Sequence, residues 1–204
     1  MKKILVLFAH PALQKSRINK ILIDGLDKME DVTFHDLYQS YPELDIDIPR
    51  EKELLEKHDI IVLHHPFFWY SAPAILKEWQ DLVLEHGWAY GSMGNALKDK
   101  TCFNVVTTGG RREAYDPKGH NNFTIRQLLA PIEQTANLCK MIYLPPYVVH
   151  GTHSITSESV KQHRNELHSI LHDLQHEKLN LNEMRTWDYF NDFYQKFQKE
   201  KQTT

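Results

Sequence analysis

The sequence predicts an α/β fold: a doubly wound, five-stranded parallel sheet with helices on both faces and one added helix at the C-terminal end. Three observations carry this reading. Short, almost wholly apolar runs recur along the chain at residues 4–8, 60–64 and 102–106, as strands buried on both faces require. Amphipathic segments of helix length lie between them. Each run also ends abruptly, in His10-Pro11, in Pro66 and in Thr107-Thr108-Gly109-Gly110. Parallel strands need right-handed crossovers, and ligands of such sheets bind beyond the carboxyl ends of the strands, where the strand order reverses. In the order 2-1-3-4-5, strands one, three and four are neighbours, and the three unusual strand ends share one rim.

The elements follow in order. Residues 4–8 form the first strand, and after the polar loop His10-Pro11 a helix runs over 17–28 with Ser16 as its N-cap. Residues 32–35 make a short second strand. The acidic, proline-bounded stretch 41–50, with Asp45-Ile46-Asp47, reads as a solvated surface loop before a charged helix over 51–58. The third strand, 60–64, leads through Pro66 to Phe67-Phe68-Trp69-Tyr70 and then a helix over 74–85, whose apolar side holds Ile75, Leu76, Trp79, Leu82 and Val83. Gly87-Trp88-Ala89-Tyr90-Gly91 is turn-rich. After the fourth strand, 111–122 is a polar loop, 124–137 a helix, and 141–144 a fifth strand that Val148-Val149-His150 extends past Pro145-Pro146. A helix over 157–176 closes the domain, set at residues 1–178. Residues 179–204 form a helical extension, with a charged helix over 182–201 carrying an aromatic stripe.

Composition narrows the function. The 204 residues carry a net charge of −3 with both signs mixed, which excludes a basic nucleic-acid patch. The apolar run after Met1-Lys2-Lys3 stops at His10-Pro11, too soon for a signal peptide, and no stretch approaches the ~20 apolar residues that insertion in a membrane needs. Two cysteines, Cys102 and Cys139, sit in apolar surroundings and read as buried free thiols of a cytoplasmic protein. G-x-S-x-G, H-E-x-x-H and C-x-x-C elements are absent, so hydrolase and zinc chemistry have no support. His168 and His172 are spaced to chelate a metal but have no third ligand, and no metal is expected. His64-His65 ends a strand, one ring packing inward and the other facing the loop.

The three strand ends fit one ligand. His10, Ser16 and Asn19 offer hydroxyl, amide and backbone donors at a helix start, a phosphate site without a glycine-rich loop. Phe67 to Tyr70 offer aromatic surface for a flat ring, and Gly109-Gly110 let the backbone approach it. A phosphate clamp beside a flat-ring cradle suits a flavin mononucleotide, which brings its own redox chemistry.

These residues resemble a known family. His10-Pro11-Ala12-Leu13-Gln14-Lys15-Ser16-Arg17-Ile18-Asn19 is similar to the H-P-x-x-x-x-S-x-x-N signature of the NAD(P)H:quinone oxidoreductases (DT-diaphorase-like) of the flavodoxin-like fold. The stretch 65–83, Gly87 to Gly91 and Thr107 to Gly110 match in the same order. The resemblance covers residues 2–175 and is strongest to the ancillary flavoproteins of glutathione-regulated potassium-efflux systems and to general-stress NAD(P)H oxidoreductases. It implies a tightly bound FMN, held at the phosphate and ribityl end by His10, Ser16, Arg17, Ile18 and Asn19. Phe67, Phe68, Trp69 and Tyr70 would cradle the ring on one side, and Thr107, Thr108, Gly109 and Gly110 would meet it through the main chain. It implies Tyr115 and, with a spacing one residue short, His120 as catalytic groups that stabilise charge on the reduced flavin. It implies a homodimer in which Trp88 and Tyr90 reach the partner's site. The activity would be ping-pong, two-electron hydride transfer from NAD(P)H to quinones or similar acceptors. A regulatory role, docked on a potassium-efflux transporter at the inner face of the membrane, is the alternative. Arg111-Arg112 follows the glycines where small residues are expected. The pair either recognises the 2′-phosphate of NADPH or is a solvated charge pair.

Overall fold

The run Ile4–Phe8 is β1, buried along its whole length at the centre of a parallel sheet. In this computed structural model, which describes residues 1–203 apart from the Thr203 side chain, β1 pairs with β2 (Val32–Asp36) on one side and β3 (Ile60–Pro66) on the other. β4 (Thr101–Thr107) follows β3, giving the order 2-1-3-4-5 expected from the sequence. The fifth strand differs from expectation. It is split into β5 (Ile142–Tyr143) and β6 (Tyr147–Val149), both parallel to β4, so the sheet has six strands rather than five. Pro145 and Pro146 cannot donate to a ladder, which breaks the pairing between the two halves.

Strand alternation sorts the core onto two faces. Leu5, Leu7, Ile61, Leu63 and Cys102 pack under α3 (Ile48–Lys57), α4 (Ala74–Val83) and α6 (Ala130–Leu138). Ile4, Val6, Val62, Phe103 and Val105 pack under α1 (Arg17–Leu22), α7 (Ser157–Gln175) and α9 (Phe190–Thr203). Trp79 is core, and burial pushes the Cys102 thiol up to about 12, so it is an inert packing group.

Several helices are shorter than their sequence patterns suggest. α1 stops at Leu22, and the chain turns at Gly25, whose φ of +86° suits glycine, into a 3-10 turn over Leu26–Lys28. The expected helix over 124–137 is two, α5 (Ile125–Leu128) and α6, with Pro131 at the start of the second. The stretch 41–50 is not a solvated loop throughout. α2 (Leu37–Ser40) precedes it, Tyr41 and Ile46 are buried, and Asp47 caps α3 by accepting from Arg50 N at 3.1 Å. Glu51, fully buried, accepts hydrogen bonds from Trp79 Nε1 (2.8 Å) and Tyr41 Oη (2.5 Å) and pairs with His35 Nε2 (2.8 Å).

The expected single helix over 182–201 is α8 (Leu181–Met184) and α9, joined by a strap over 185–189. Arg126 of α5 pins the strap by donating to the carbonyls of Arg185 (3.0 Å) and Trp187. Phe190 N donates to Pro146 O at 2.9 Å, and the Asn191 side chain meets both main-chain groups of Val148. An amide thereby stands where a seventh strand would pair.

Candidate functional site

The carboxyl ends of β1, β3 and β4 adjoin, and side chains tie the loops that follow them. After β1, the Ala12 amide donates to His10 Nδ1 at 3.1 Å, which leaves Nε2 to carry the ring proton. Burial lowers the His10 pKa and keeps the ring neutral. Ser16 caps α1, accepting from Asn19 N at 3.1 Å and from Asn19 Nδ2 at 3.1 Å. With both acceptor positions filled, its hydroxyl keeps a proton with which it can donate. Asn19 Nδ2 also lies 3.2 Å from Thr107 Oγ1, which fastens the first loop to the end of β4. Ile18 is buried in the core, and the Arg17 guanidinium donates to Ile155 O (2.7 Å) and Ser157 Oγ (3.2 Å). Both therefore present only first-turn backbone N–H groups to the loop.

The loop after β3 is a tight hairpin. Phe68 and Ser71 exchange backbone hydrogen bonds at 3.1 and 3.0 Å, and Trp69 and Tyr70 between them have φ of +49° and +63°. Two bulky aromatics in the left-handed region are a backbone outlier of the kind that gathers at ligand sites. The hairpin holds Trp69 93% exposed, with Phe68 and Tyr70 about half exposed. His10 stands edge-on to Phe68 with ring centres 6.1 Å apart, joining the first loop to the second. Phe67 is buried and meets Tyr115 edge-on at 6.0 Å.

After β4, Thr108 Oγ1 and Tyr115 Oη lie 2.6 Å apart. The two glycines make room for side chains. A Cβ on Gly110 would fall 2.8 Å from Tyr115 Cε2, and one on Gly109 2.4 Å from His153 Nε2. The loop carrying Tyr115 is tied to the hairpin by Tyr70 Oη donating to Asn121 Oδ1 at 3.3 Å. His120 lies exposed on that loop, and among the described residues its ring has no hydrogen-bond partner.

The site thus brings together His10, Ser16, Asn19, Phe67 to Tyr70, Thr107 to Gly110 and Tyr115. It leaves Trp88 and Tyr90 out. Trp88 Nε1 donates to Glu56 at the end of α3, and Gly91 O, beside Tyr90, accepts from Lys140 beyond α6, both just ahead of the amino ends of the strands that follow, β3 and β5. The expectation for His64-His65 needs correction, since both rings are fully buried. His65 pairs with Asn104 Nδ2 (2.8 Å) and Pro66 O (3.0 Å), whereas neither nitrogen of His64 has a partner.

Sequence reasoning missed two imidazoles. His153 rests on Gly109. His150, just past β6, lies between Tyr115 (ring centres 5.9 Å) and Tyr189 of the strap (5.8 Å). Burial, reinforced by the Arg112 charge, pushes its pKa down to about 4, so it is neutral. The Gly110 carbonyl is nearby, but no group completes a hydrogen bond to either nitrogen. The signal was available: His150 ends an apolar run, and strand ends in such sheets face the ligand. Arg112 is half exposed but paired. It grips Asp192 of α9 with both terminal nitrogens, Nη1 at 2.8 Å and Nη2 at 2.5 Å, and lies over the Tyr189 ring at 4.6 Å.

A family model described as flavodoxin-like fold matches residues 2–171. The glutathione-regulated potassium-efflux system ancillary protein KefG of Pectobacterium carotovorum is 47% identical over 148 residues, covering 72% of this chain and 81% of the relative. The structure of general stress protein 14 from Treponema denticola in complex with FMN superposes with a TM-score of 0.81 at 35% identity, covering 85% of this chain and 99% of that one. An NADPH-quinone reductase from P. pentosaceus superposes at 0.72 with 34% identity, covering 79% and 92%.

Proposed function

Because this chain belongs to the flavodoxin-like family, we propose that it is an FMN-dependent NAD(P)H oxidoreductase that reduces quinones or similar electrophilic acceptors. One observation carries the reading: the Asn19–Thr107 and His10–Phe68 contacts draw the three strand-end loops into a single site. The residues fit the cofactor. The Ser16 hydroxyl, able to donate, and the first-turn N–H groups of α1 suit a phosphate, and the exposed hairpin of Phe68, Trp69 and Tyr70 suits a flat ring. The FMN bound to the related Treponema protein supports the same assignment.

When bound, FMN supplies two-electron redox chemistry between a nicotinamide donor and the acceptor. The protein's own groups do the rest. Thr108 orients the Tyr115 hydroxyl, which would donate toward charge developing on a bound flavin. Main-chain groups of Thr107 to Gly110 position the ring. Trp88 and Tyr90, on the amino-end side of their own sheet, act across a homodimer interface, which light scattering of the purified protein tests.

The enzyme reading is tested by purifying the protein, looking for a bound yellow chromophore and following NAD(P)H oxidation with and without menadione. We expect oxidation that depends on both FMN and menadione. A colourless protein that takes up no added FMN overturns the reading. The name of the potassium-efflux relative motivates a second role, as a regulatory partner of a transporter. Copurification with the cytosolic part of such a transporter supports that role, and absence of binding removes it.

A further inference from the structure

Tyr115 stands at the end of a single 3-10 turn, Arg112–Ala114, and its backbone N–H donates to Arg112 O at 2.9 Å. Whatever fixes Arg112 therefore fixes Tyr115 one turn away. The group that fixes Arg112 belongs to the C-terminal extension. Both terminal nitrogens meet the Asp192 carboxylate, at 2.8 and 2.5 Å, and the guanidinium lies 4.6 Å from the centre of the Tyr189 ring. Tyr189 reaches Tyr115 by a second route, through His150, with ring centres 5.8 Å and then 5.9 Å apart. Both routes start beyond the residues that match the family model, 2–171.

A support of this kind works only if its own base is fixed. Arg126 pins the strap over 185–189 by donating to the carbonyls of Arg185 (3.0 Å) and Trp187. Just past the strap, Phe190 N donates to Pro146 O at 2.9 Å, and Asn191 closes on Val148. The loop that it supports faces solvent on either side of Tyr115, over residues 111–113 and 116–118. An ion pair whose side chains are 50% and 29% exposed adds little to stability. Two parallel bonds from a planar guanidinium to one carboxylate do fix direction. The contact is thus better suited to placing a group than to holding the fold together.

We infer that the C-terminal extension is a positioning element of the flavin site: Asp192, through its two-armed hold on Arg112, fixes the turn that sets the Tyr115 hydroxyl. The inference rests on the oxidoreductase reading above and deepens it. Asp192 and Arg112 are positioning residues that act through Tyr115.

Asp192→Ala should slow single-turnover reduction of the bound flavin by NAD(P)H about fivefold, the scale of a coupling carried through packed neighbours. The FMN dissociation constant and the melting temperature should stay as in the wild type. The midpoint potential of the bound flavin should fall, as it should in Tyr115→Phe, because a donor to the reduced ring is displaced or lost. That potential is read with a chemical reductant and needs no dinucleotide. Arg112→Lys keeps the charge without the fork and should match Asp192→Ala. It carries the test should Asp192→Ala fail to fold. The double variant Arg112→Ala/Asp192→Ala should be no slower than either single variant, because both remove the same contact. Asp188→Asn takes a charge from an exposed position of the same strap and should change neither rate nor potential. Wild-type rate and potential in Asp192→Ala, losses that multiply in the double variant, an equal effect of Asp188→Asn, or a rate loss matched by an equal loss of FMN affinity overturns the inference. An FMN-loaded protein that neither dinucleotide reduces overturns the oxidoreductase reading instead, and the potentials still decide whether Asp192 places Tyr115.

Discussion

Asn19 and Thr107, 88 positions apart in the chain, meet side chain to side chain at 3.2 Å in the buried ground between β1 and β4. The same amide nitrogen reaches Ser16 Oγ, so one residue sets the cap of α1, the end of β4 and the gap between them. Asn19→Ala leaves Ser16 and Thr107 short of a donor in a buried place, at a cost of about 1–3 kcal/mol. Urea unfolding should register that loss, and FMN titration followed by flavin fluorescence should show weaker binding. An unchanged FMN affinity would mean that the two loops do not share a ligand.

Tyr115 is placed by Thr108 rather than by His120. Tyr115→Phe removes the hydroxyl without disturbing the ring contacts to Phe67 and His150. Stopped-flow reduction by NAD(P)H should slow by about tenfold or more, short of the ~10²–10³ typical of a lost oxyanion donor, while FMN stays bound. His120→Ala should change the reduction rate far less, because its ring is exposed and unengaged.

Gly110 is needed for space, not for its dihedral angles. A methyl at that position falls 2.8 Å from Tyr115 Cε2, so Gly110→Ala has to push the tyrosine aside. Overpacking of this kind costs about 1–3 kcal/mol. The variant should show a lowered melting temperature together with the slow reduction of Tyr115→Phe, and normal reduction in Gly110→Ala would contradict the role given to Tyr115.

Acid should destabilise the protein before its carboxylates titrate. Burial pushes the pKa of His64 down to about 3 and that of His65 to about 4, whereas both rings gain a proton near 6.5 once unfolded. The unfolded chain therefore binds more protons at every pH between those values. Stability is intact above about pH 6.5 and falls as the pH drops through that window, by about 2 kcal/mol for His64 alone at pH 5. His64→Leu fits a site lined by Phe8 and lacking any polar partner. Urea midpoints measured from pH 7 to pH 5 should show a slope lower by about one proton in that variant, and an unaltered slope would mean that His64 is protonated in the folded state. Glu51 acts lower still. Despite its burial, hydrogen bonds from His35, Tyr41 and Trp79 hold its pKa below the usual carboxylate range, so its contribution is present above about pH 4 and is lost as the pH falls further.

The strand order and the three converging loops were legible because each rests on a local signal. Apolar runs mark buried strands, and the abrupt residues after them mark the rim. Interactions that depend on distant partners were not legible. Nothing near Glu51 in the sequence announces that Tyr41, His35 and Trp79 converge on it. The split of the last strand followed from Pro145-Pro146, a visible pair whose effect was underestimated. The break after Leu22 turned on Gly25, hidden inside an otherwise helical pattern. Arg112 looked free because its partner, Asp192, lies 80 positions away in a segment with no motif of its own.

The Asn191 side chain, closed on both main-chain groups of Val148, makes the C-terminal helix a cover for an otherwise open strand edge. Such an edge is a template on which another chain's strand can grow. The extension therefore guards the sheet against edge-to-edge aggregation. Loss of α9 should show itself as turbidity at high protein concentration, with light scattering rising. Asn191→Ala should reproduce a milder form of that behaviour, because it frees the same two groups while leaving the helix in place.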